Sequence, residues 1–167
     1  MITIREETIN DIGFVHEINV LAFEQPDEAN LVDKLRARCA EILSLVAIRD
    51  DKVAGHILFS PVTIESDDNR AVGMGLGPMA VSPEYQNQGI GSTLIRYGLD
   101  RLKDGGCEFV VVLGHSDYYP KFGFVPASEY NVRCKWDVPD EVFMIQVFHQ
   151  SDLSGLACYQ PEFSELT

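Results

Sequence analysis

What this chain lacks narrows it first. Its four cysteines, Cys39, Cys107, Cys134 and Cys158, lie far apart with no Cys-x-x-Cys, and His16, His56, His115 and His149 are equally scattered. Metal-ligand spacing is therefore missing, and reduced thiols fit a cytosolic home rather than a disulfide scaffold. A nucleophilic Cys–His pair is the less favoured alternative, because Cys usually behaves as a small buried hydrophobe. No apolar run approaches the ~18 residues that cross a bilayer. The opening Met-Ile-Thr-Ile-Arg-Glu-Glu carries acids where a signal peptide carries an apolar stretch. Basic residues are scarce, 13 against 26 acidic ones, and the formal net charge of −13 argues against nucleic acid or an anionic membrane as partner. The same acidity would favour a cationic partner, although a solvated acidic surface needs no function. We expect a soluble, cytoplasmic protein.

At 167 residues the chain is expected to form a single domain able to bury a core without staples. Its organising stretch is Leu76 to Gly91, LGPMAVSPEYQNQGIG. A short apolar run ends at Ser82-Pro83, and Gln86-x-x-Gly89-x-Gly91 then opens an amphipathic segment reaching about Lys103. The first turn of a helix has backbone N–H groups without intrahelical partners, and the macrodipole adds positive charge there. Glycines at that mouth let an anion approach those groups.

Spacing separates three glycine-loop readings. A nucleotide P-loop requires Lys directly after its last glycine, and neither Gly89 nor Gly91 is followed by one. A dinucleotide fingerprint begins directly after its strand, whereas seven residues, Ser82 to Gln88, intervene here. Leu94 stands near the place of its third glycine, and Glu108 begins the next strand instead of ending it. The third is Gln/Arg-x-x-Gly-x-Gly/Ala after a strand ending in Val-x-Pro. Val81-Ser82-Pro83 followed by Gln86-Asn87-Gln88-Gly89-Ile90-Gly91 matches it at each defined position. That pattern resembles the acyl-CoA loop of the GNAT superfamily of N-acetyltransferases.

The rest of the chain reads in order. Residues Ile2 to Glu6 alternate as a first strand. Thr8-x-x-Asp11 is a capping box for a helix burying Ile12, Val15, Ile18 and Ala22. Gln25-Pro26-Asp27 breaks that helix, and Asp27 is placed to cap a second, with Leu31, Val32, Leu35 and Cys39 along one stripe. Ser44 to Arg49 and Val53 to about Glu65 form a hairpin around Asp50-Asp51-Lys52. Ser66 to Arg70 is the next turn, and Gly73 to Val81 is the fourth strand. Its glycines and Pro78 predict an irregularity near its end, which would free backbone N–H groups for a ligand.

The helix after the loop turns Ile90, Leu94, Ile95, Leu99 and Leu102 inward and stops at Gly105-Gly106. Phe109 to Leu113 is a strand buried on both faces, joined to the fourth by a right-handed crossover. His115-Ser-Asp-Tyr-Tyr-Pro-Lys-Phe-Gly-Phe124 predicts one short turn of helix with Asp117 as N-cap, ending at Gly123. A sixth strand is expected near Tyr130 to Lys135 and a seventh at Val142 to Phe148, linked through Trp136 to Pro139. The tail from Gly155 to Phe163 is open between an extra edge strand and a cover over the site.

The resemblance covers most of the chain, with its specific motifs between about residues 76 and 124, and it is strongest to small bacterial-type acetyltransferases sharing Leu-Gly-Pro-x-Ala-Val and Tyr-Tyr-x-x-Phe-Gly-Phe. It implies an α/β fold whose mixed, mostly antiparallel central sheet of about seven strands is flanked by helices. The parallel fourth and fifth strands would splay apart, with the cofactor core at about residues 73–126. The function implied is acetyl transfer from acetyl-CoA to a primary amine of a small molecule or protein, by direct attack in a ternary complex. The resemblance assigns cofactor contacts to Met79, Ala80, Val81, Gln86, Asn87, Gln88, Gly89, Ile90, Gly91 and Ser92. Tyr119 stands at the family's Tyr position, four residues before Gly123-Phe124. Where the family pattern carries Asn a few residues earlier, Ser116 or Asp117 stands here.

The chemistry defines the roles to be filled. An aliphatic amine of pKa ~10 arrives as an ammonium and must lose a proton before it attacks. The oxyanion formed from the thioester needs a donor, for which the backbone N–H near Met79 is the candidate. The departing thiolate, of pKa ~8.5, leaves more easily with a phenol donating to it. Tyr119 is the candidate acid, against plain aromatic packing, and Tyr118 the packing or adenine-side residue. Glu28 is the candidate base, with Glu65, Glu84 or an ordered water as alternatives. A non-catalytic acyl-CoA-binding sensor or interaction module is the competing function. Either a monomer or a homodimer is compatible with the sequence.

Overall fold

The computed structural model describes residues 1–149 and 152–165. The chain falls into two compact units, interleaved in sequence. The first holds residues up to Ser60, Gly77–Gly98 and the tail from Pro161, and the second holds Pro61–Leu76 and Leu99–Gln160.

In the first unit, strand β1 (Thr3–Glu6) pairs antiparallel with β2 (Leu43–Arg49), and β2 with β3 (Lys52–Glu65) from Leu43↔Phe59 to Arg49↔Lys52. The two turn residues, Asp50 and Asp51, both lie in the left-handed region, at φ 53° and 60°. That is the two-residue turn whose twist matches the strands it joins, and Asp tolerates the conformation. The capping box is present. Asp11 Oδ2 accepts the Thr8 amide at 2.7 Å and its hydroxyl at 3.0 Å. It opens a 3-10 turn, Ile9–Asp11, before helix α1 (Ile12–Phe23). Val15 and Ile18 are buried, while Ile12 and Ala22 are only half-buried.

Helix α2 (Asp27–Arg38) has Pro26 at its N-cap, so Asp27 is its first residue and not its cap. Proline suits such a terminus because the amide it lacks would have had no helical acceptor. Leu31, Val32 and Leu35 pack with Val15, Val46 and Leu58. Cys39 leaves the expected stripe, because the backbone is already extended there. Helix α3 (Ile90–Asp104) buries Ile90, Leu94, Ile95 and Leu99, with Leu102 half-buried. A Cβ on Gly98 would stand 2.4 Å from the Phe59 ring, so the ring of Phe59 on β3 packs directly against the backbone of α3. Val46 and Leu58 thus face α1 and α2, while Phe59 faces α3, as the two-residue period of strands requires.

In the second unit β4 (Arg70–Val81, starting three residues earlier than expected), as far as Leu76, runs parallel to β5 (Phe109–Leu113) over Met74↔Val110, Gly75↔Val111 and Leu76↔Val112. Strand β8 (Phe143–Val147) pairs antiparallel with β5 and with β6 (Val125–Pro126). The tail strand β9 (Gly155–Cys158) pairs antiparallel with Thr63–Glu65 of β3 and parallel with β7 (Val132–Arg133). The first part of the tail thus adds a strand to the sheet, and Pro161–Glu165 forms a 3-10 turn. The sheet is mixed and has nine strands among the described residues, not about seven. The expected sixth strand shrinks to β7, and β6 is added before it; segments of two residues have no periodicity to betray them. Val62, Ile64, Phe109, Val111, Ile145 and Ala157 form this unit's core.

Candidate active site

The first unit contains the glycine loop. Pro83–Tyr85 forms a 3-10 turn after β4, and Gln86 Nε2 donates to Val81 O at 3.1 Å, closing the loop on its own strand. Asn87 and Gly89 are left-handed, at φ 64° and 82°. Asn is among the few L residues that tolerate this, and Gly89 has open space where a Cβ would stand. The first helical bond is donated by Thr93 N–H to Gly89 O at 3.0 Å, with the Thr93 hydroxyl on the same oxygen at 2.8 Å. The amides of Gly89, Ile90 and Gly91 therefore precede the first helical donor and have no acceptor among the described residues. Ile90 is buried, so only its backbone can serve a ligand. Gln86, Asn87, Gln88 and Gly89 are exposed, and Gly91 and Ser92 half-buried.

Arg49, at the end of β2, was not singled out from the sequence. Its Nη1 donates to Gln88 Oε1, and its guanidinium lies 5.8 Å from the centre of the Tyr85 ring. It lies 39 positions from Gln88 in sequence, and no local pattern announces it. Unspent amides, open space at Gly89 and one guanidinium suit a phosphate-sized anion at this mouth.

Met79, Ala80 and Val81 occupy the end of β4, Ala80 buried and its neighbours half-buried. The ladder with β5 stops at Leu76↔Val112, three residues before Met79. Strand β4 thus runs on past the end of its ladder with β5. Glu28 lies in the first turn of α2, half-buried, and both its oxygens accept from Gln25 Nε2, at 2.9 and 3.2 Å. Glu65 ends β3 and accepts from the Thr63 hydroxyl at 3.0 Å. Glu84 sits in the turn ahead of the loop.

Tyr119 belongs to the second unit. It opens a 3-10 turn, Tyr119–Phe122, whose N-cap is Tyr118 and not Asp117, and which ends at Gly123 with φ 99°. A turn this short accommodates Pro120 one residue further in than its first position, still ahead of any amide that must donate. The Tyr119 ring is buried edge-on against Tyr118 at 5.2 Å and Phe124 at 5.8 Å. Burial, with a smaller contribution from Tyr118, pushes its hydroxyl up to about 12. A Cβ on Gly114 would stand 2.3 Å from this ring. Gly114 was not anticipated as a positioning residue, and only its place directly after β5 could have signalled it.

A strand that runs on past its parallel ladder, then a glycine turn feeding a helix mouth with unspent amides, gives an α/β protein able to hold an anionic cofactor at that mouth. Residues 12–124 match the Acetyltransferase (GNAT) family, and the chain belongs to that family. It is 39% identical over 137 residues to the uncharacterised N-acetyltransferase YjhQ of Escherichia coli strain K12, covering 79% of this chain and 75% of that protein. The crystal structure of the GNAT family N-acetyltransferase YhbS from Escherichia coli in complex with CoA superposes with a TM-score of 0.90 at 33% identity, covering 99% of this chain and 93% of that one. A GNAT family acetyltransferase from Brucella melitensis in complex with acetyl-CoA gives 0.80 at 34% identity, covering 98% of each chain. Among the described residues no helix is long and apolar enough to cross a membrane.

Proposed function

We propose that the protein is an acetyl-CoA-dependent N-acetyltransferase that moves the acetyl group to a primary amine of a small molecule or protein, by direct attack within a ternary complex. The observation that carries this reading is the row of unspent amides at Gly89, Ile90 and Gly91, with Arg49 held beside them by Gln88. Bound acetyl-CoA supplies an activated thioester and a pyrophosphate handle. Amides at the helix mouth grip the pyrophosphate, and Arg49 adds the charge that an otherwise acidic chain lacks. Gln86, Asn87, Gln88 and Ser92 complete the lining of that mouth. The backbone of Met79, Ala80 and Val81, beyond the end of the ladder with β5, holds the arm and offers the Met79 N–H to the acetyl carbonyl oxygen.

Glu28, held by Gln25, takes the proton that an ammonium must lose. Tyr119 acts at the leaving sulfur. With its pKa raised to about 12, its hydroxyl stays protonated throughout the working range. Full proton transfer to a thiolate of pKa ~8.5 would run uphill, so Tyr119 stabilises the departing sulfur chiefly as a hydrogen-bond donor.

The test is release of free thiol from acetyl-CoA across a panel of primary amines, with coenzyme affinity measured separately. Amine-dependent turnover is the expected result. Tight coenzyme binding with no turnover on any amine would replace the enzyme by a binding module. Absence of binding would remove the loop assignment.

A further inference from the structure

Helix α1 is apolar over more of its circumference than its packing uses. Val15 and Ile18 are buried, yet Phe14 and Leu21 stand 58% and 48% exposed. A surface helix ordinarily confines its apolar residues to the face it buries. Phe14, Ile18 and Leu21 follow i, i+4, i+7 spacing, so they share one face. All three line a cavity of about 630 Å³ that lies wholly in the first unit. Ile48, near the end of β2, and Val53, near the start of β3, continue the same apolar lining. The volume is that of a small-molecule site, typically ~300–1,000 Å³.

The charges in this lining are unbalanced. Arg5 and Asp11 belong to it but spend their charges on each other, with Nη1 and Oδ2 2.6 Å apart. Glu17, Asp51 and Glu84 remain, against Lys52 alone. Among the described residues none of these four has an ion-pair partner. Three carboxylates against one ammonium around an apolar floor ask for a ligand with an apolar body and a positive group. An anion would meet like charge. A second copy of this chain, seated on the same face, would bring the same three carboxylates against themselves. The exposed Phe14 ring also gives a cation an aromatic face.

We infer that this cavity binds small amphipathic organic cations, amines or quaternary ammonium compounds, at a site that shares the Ser82–Glu84 turn but none of the amides of the helix mouth. The ammonium lies among Glu17, Asp51 and Glu84, and the hydrocarbon body covers Phe14 and Leu21. The inference does not depend on acetyl transfer, and a quaternary probe, which has no N–H to acylate, keeps the two apart.

The experiment is a ¹H–¹⁵N NMR titration of the full chain with phenethyltrimethylammonium, with 3-phenylpropanol and 3-phenylpropanoate as neutral and anionic counterparts. Shifts are expected at residues 14–21, 48–53 and 82–84, with the cation bound more tightly than either counterpart. The exposed double variant Glu17→Gln/Asp51→Asn should weaken the cation at least about fivefold at low salt, with its circular dichroism unchanged. Should that variant fail to fold, Leu21→Ser, which leaves the charges in place, should weaken the cation and the alcohol alike. Shifts confined to other residues, an alcohol binding as tightly as the cation, or undiminished affinity in the folded variants would overturn the inference. So would sedimentation showing a dimer that Phe14→Ser dissociates, because the face would then join two copies.

Discussion

Tyr119 and His56 show how burial of a single side chain sets its chemistry. The Tyr119 hydroxyl, raised to about 12, loses its proton only above pH ~11, so turnover between pH 7 and 10 should show no alkaline loss from this group. Tyr119→Phe keeps the ring packing and removes the donor. It should lower kcat about 10²-fold with coenzyme affinity unchanged, as read by steady-state kinetics beside calorimetry; equal kcat would remove Tyr119 from the chemistry. Gly114→Ala would push on the Cδ2–Cε2 edge of the same ring and should lower kcat while the hydroxyl is retained. His56 is fully buried between Ser44 Oγ at 2.9 Å and Asn19 Nδ2 at 3.3 Å. Asn19 can only donate through that nitrogen, so Nδ1 accepts and Nε2–H donates to Ser44. Burial, and to a lesser extent Arg36, depress this imidazole to about 3. The unfolded chain therefore binds the proton first as pH falls below ~6.5, and the stability His56 contributes above that value is lost progressively down to about pH 3. Between pH 7 and 5 the loss should be about 2 kcal/mol. Thermal unfolding should show a matching fall in Tm that His56→Gln flattens, and an equally steep fall in the variant would assign the effect elsewhere.

At the scale of elements, legibility followed the length and regularity of each pattern. Phe109–Leu113 is a strand over the very residues expected, because five consecutive apolar residues between Gly-Gly-Cys-Glu and Gly have one reading. The helix from Ile90 announced itself by inward residues at 3.6-residue spacing and by glycines at both ends. The loop was legible because helix-mouth chemistry is local: glycine, turn and first amides are neighbours in sequence. Arg49 was not, since its contact with Gln88 arises only when the β2–β3 hairpin folds. Strands β6 and β7 were missed or misplaced because two residues cannot display alternation. Glycine substitutions at the loop are informative only with the backbone in view. Gly89 has φ 82°, so Gly89→Val combines lost anion space with strain of about 1–2 kcal/mol and would lower Tm as well as affinity. Gly91 is inside α3 and is not left-handed, so Gly91→Val separates the two effects. It should weaken coenzyme binding by at least about tenfold with only a small change in Tm, whereas Arg49→Gln should weaken binding without any steric change. Undiminished affinity in both would place the coenzyme away from this helix mouth.

At the scale of the whole molecule, the net charge of −13 opposes the local chemistry of the loop. Oriented amides and a single guanidinium act over a few ångströms, whereas the field of the other charges extends about a Debye length, ~30 Å at 0.01 M salt and ~8 Å at 0.15 M. Coenzyme A is itself an anion, so under the proposed binding at the helix mouth it approaches against that field and is held only on contact. Raising salt from 0.01 to 0.15 M shortens the repulsion far more than it weakens bonds already formed at the helix mouth. The association rate of coenzyme A should therefore rise with salt while its dissociation rate changes little, the reverse of an enzyme that steers anions with a basic surface. A cationic amine acceptor should respond with the opposite sign, its KM increasing over the same range. Stopped-flow binding at the two ionic strengths measures the first and initial rates the second. A coenzyme association rate that falls with salt would mean that the charges are arranged to draw the nucleotide in, and the uneven distribution of the basic residues, not the net charge, would then set the encounter.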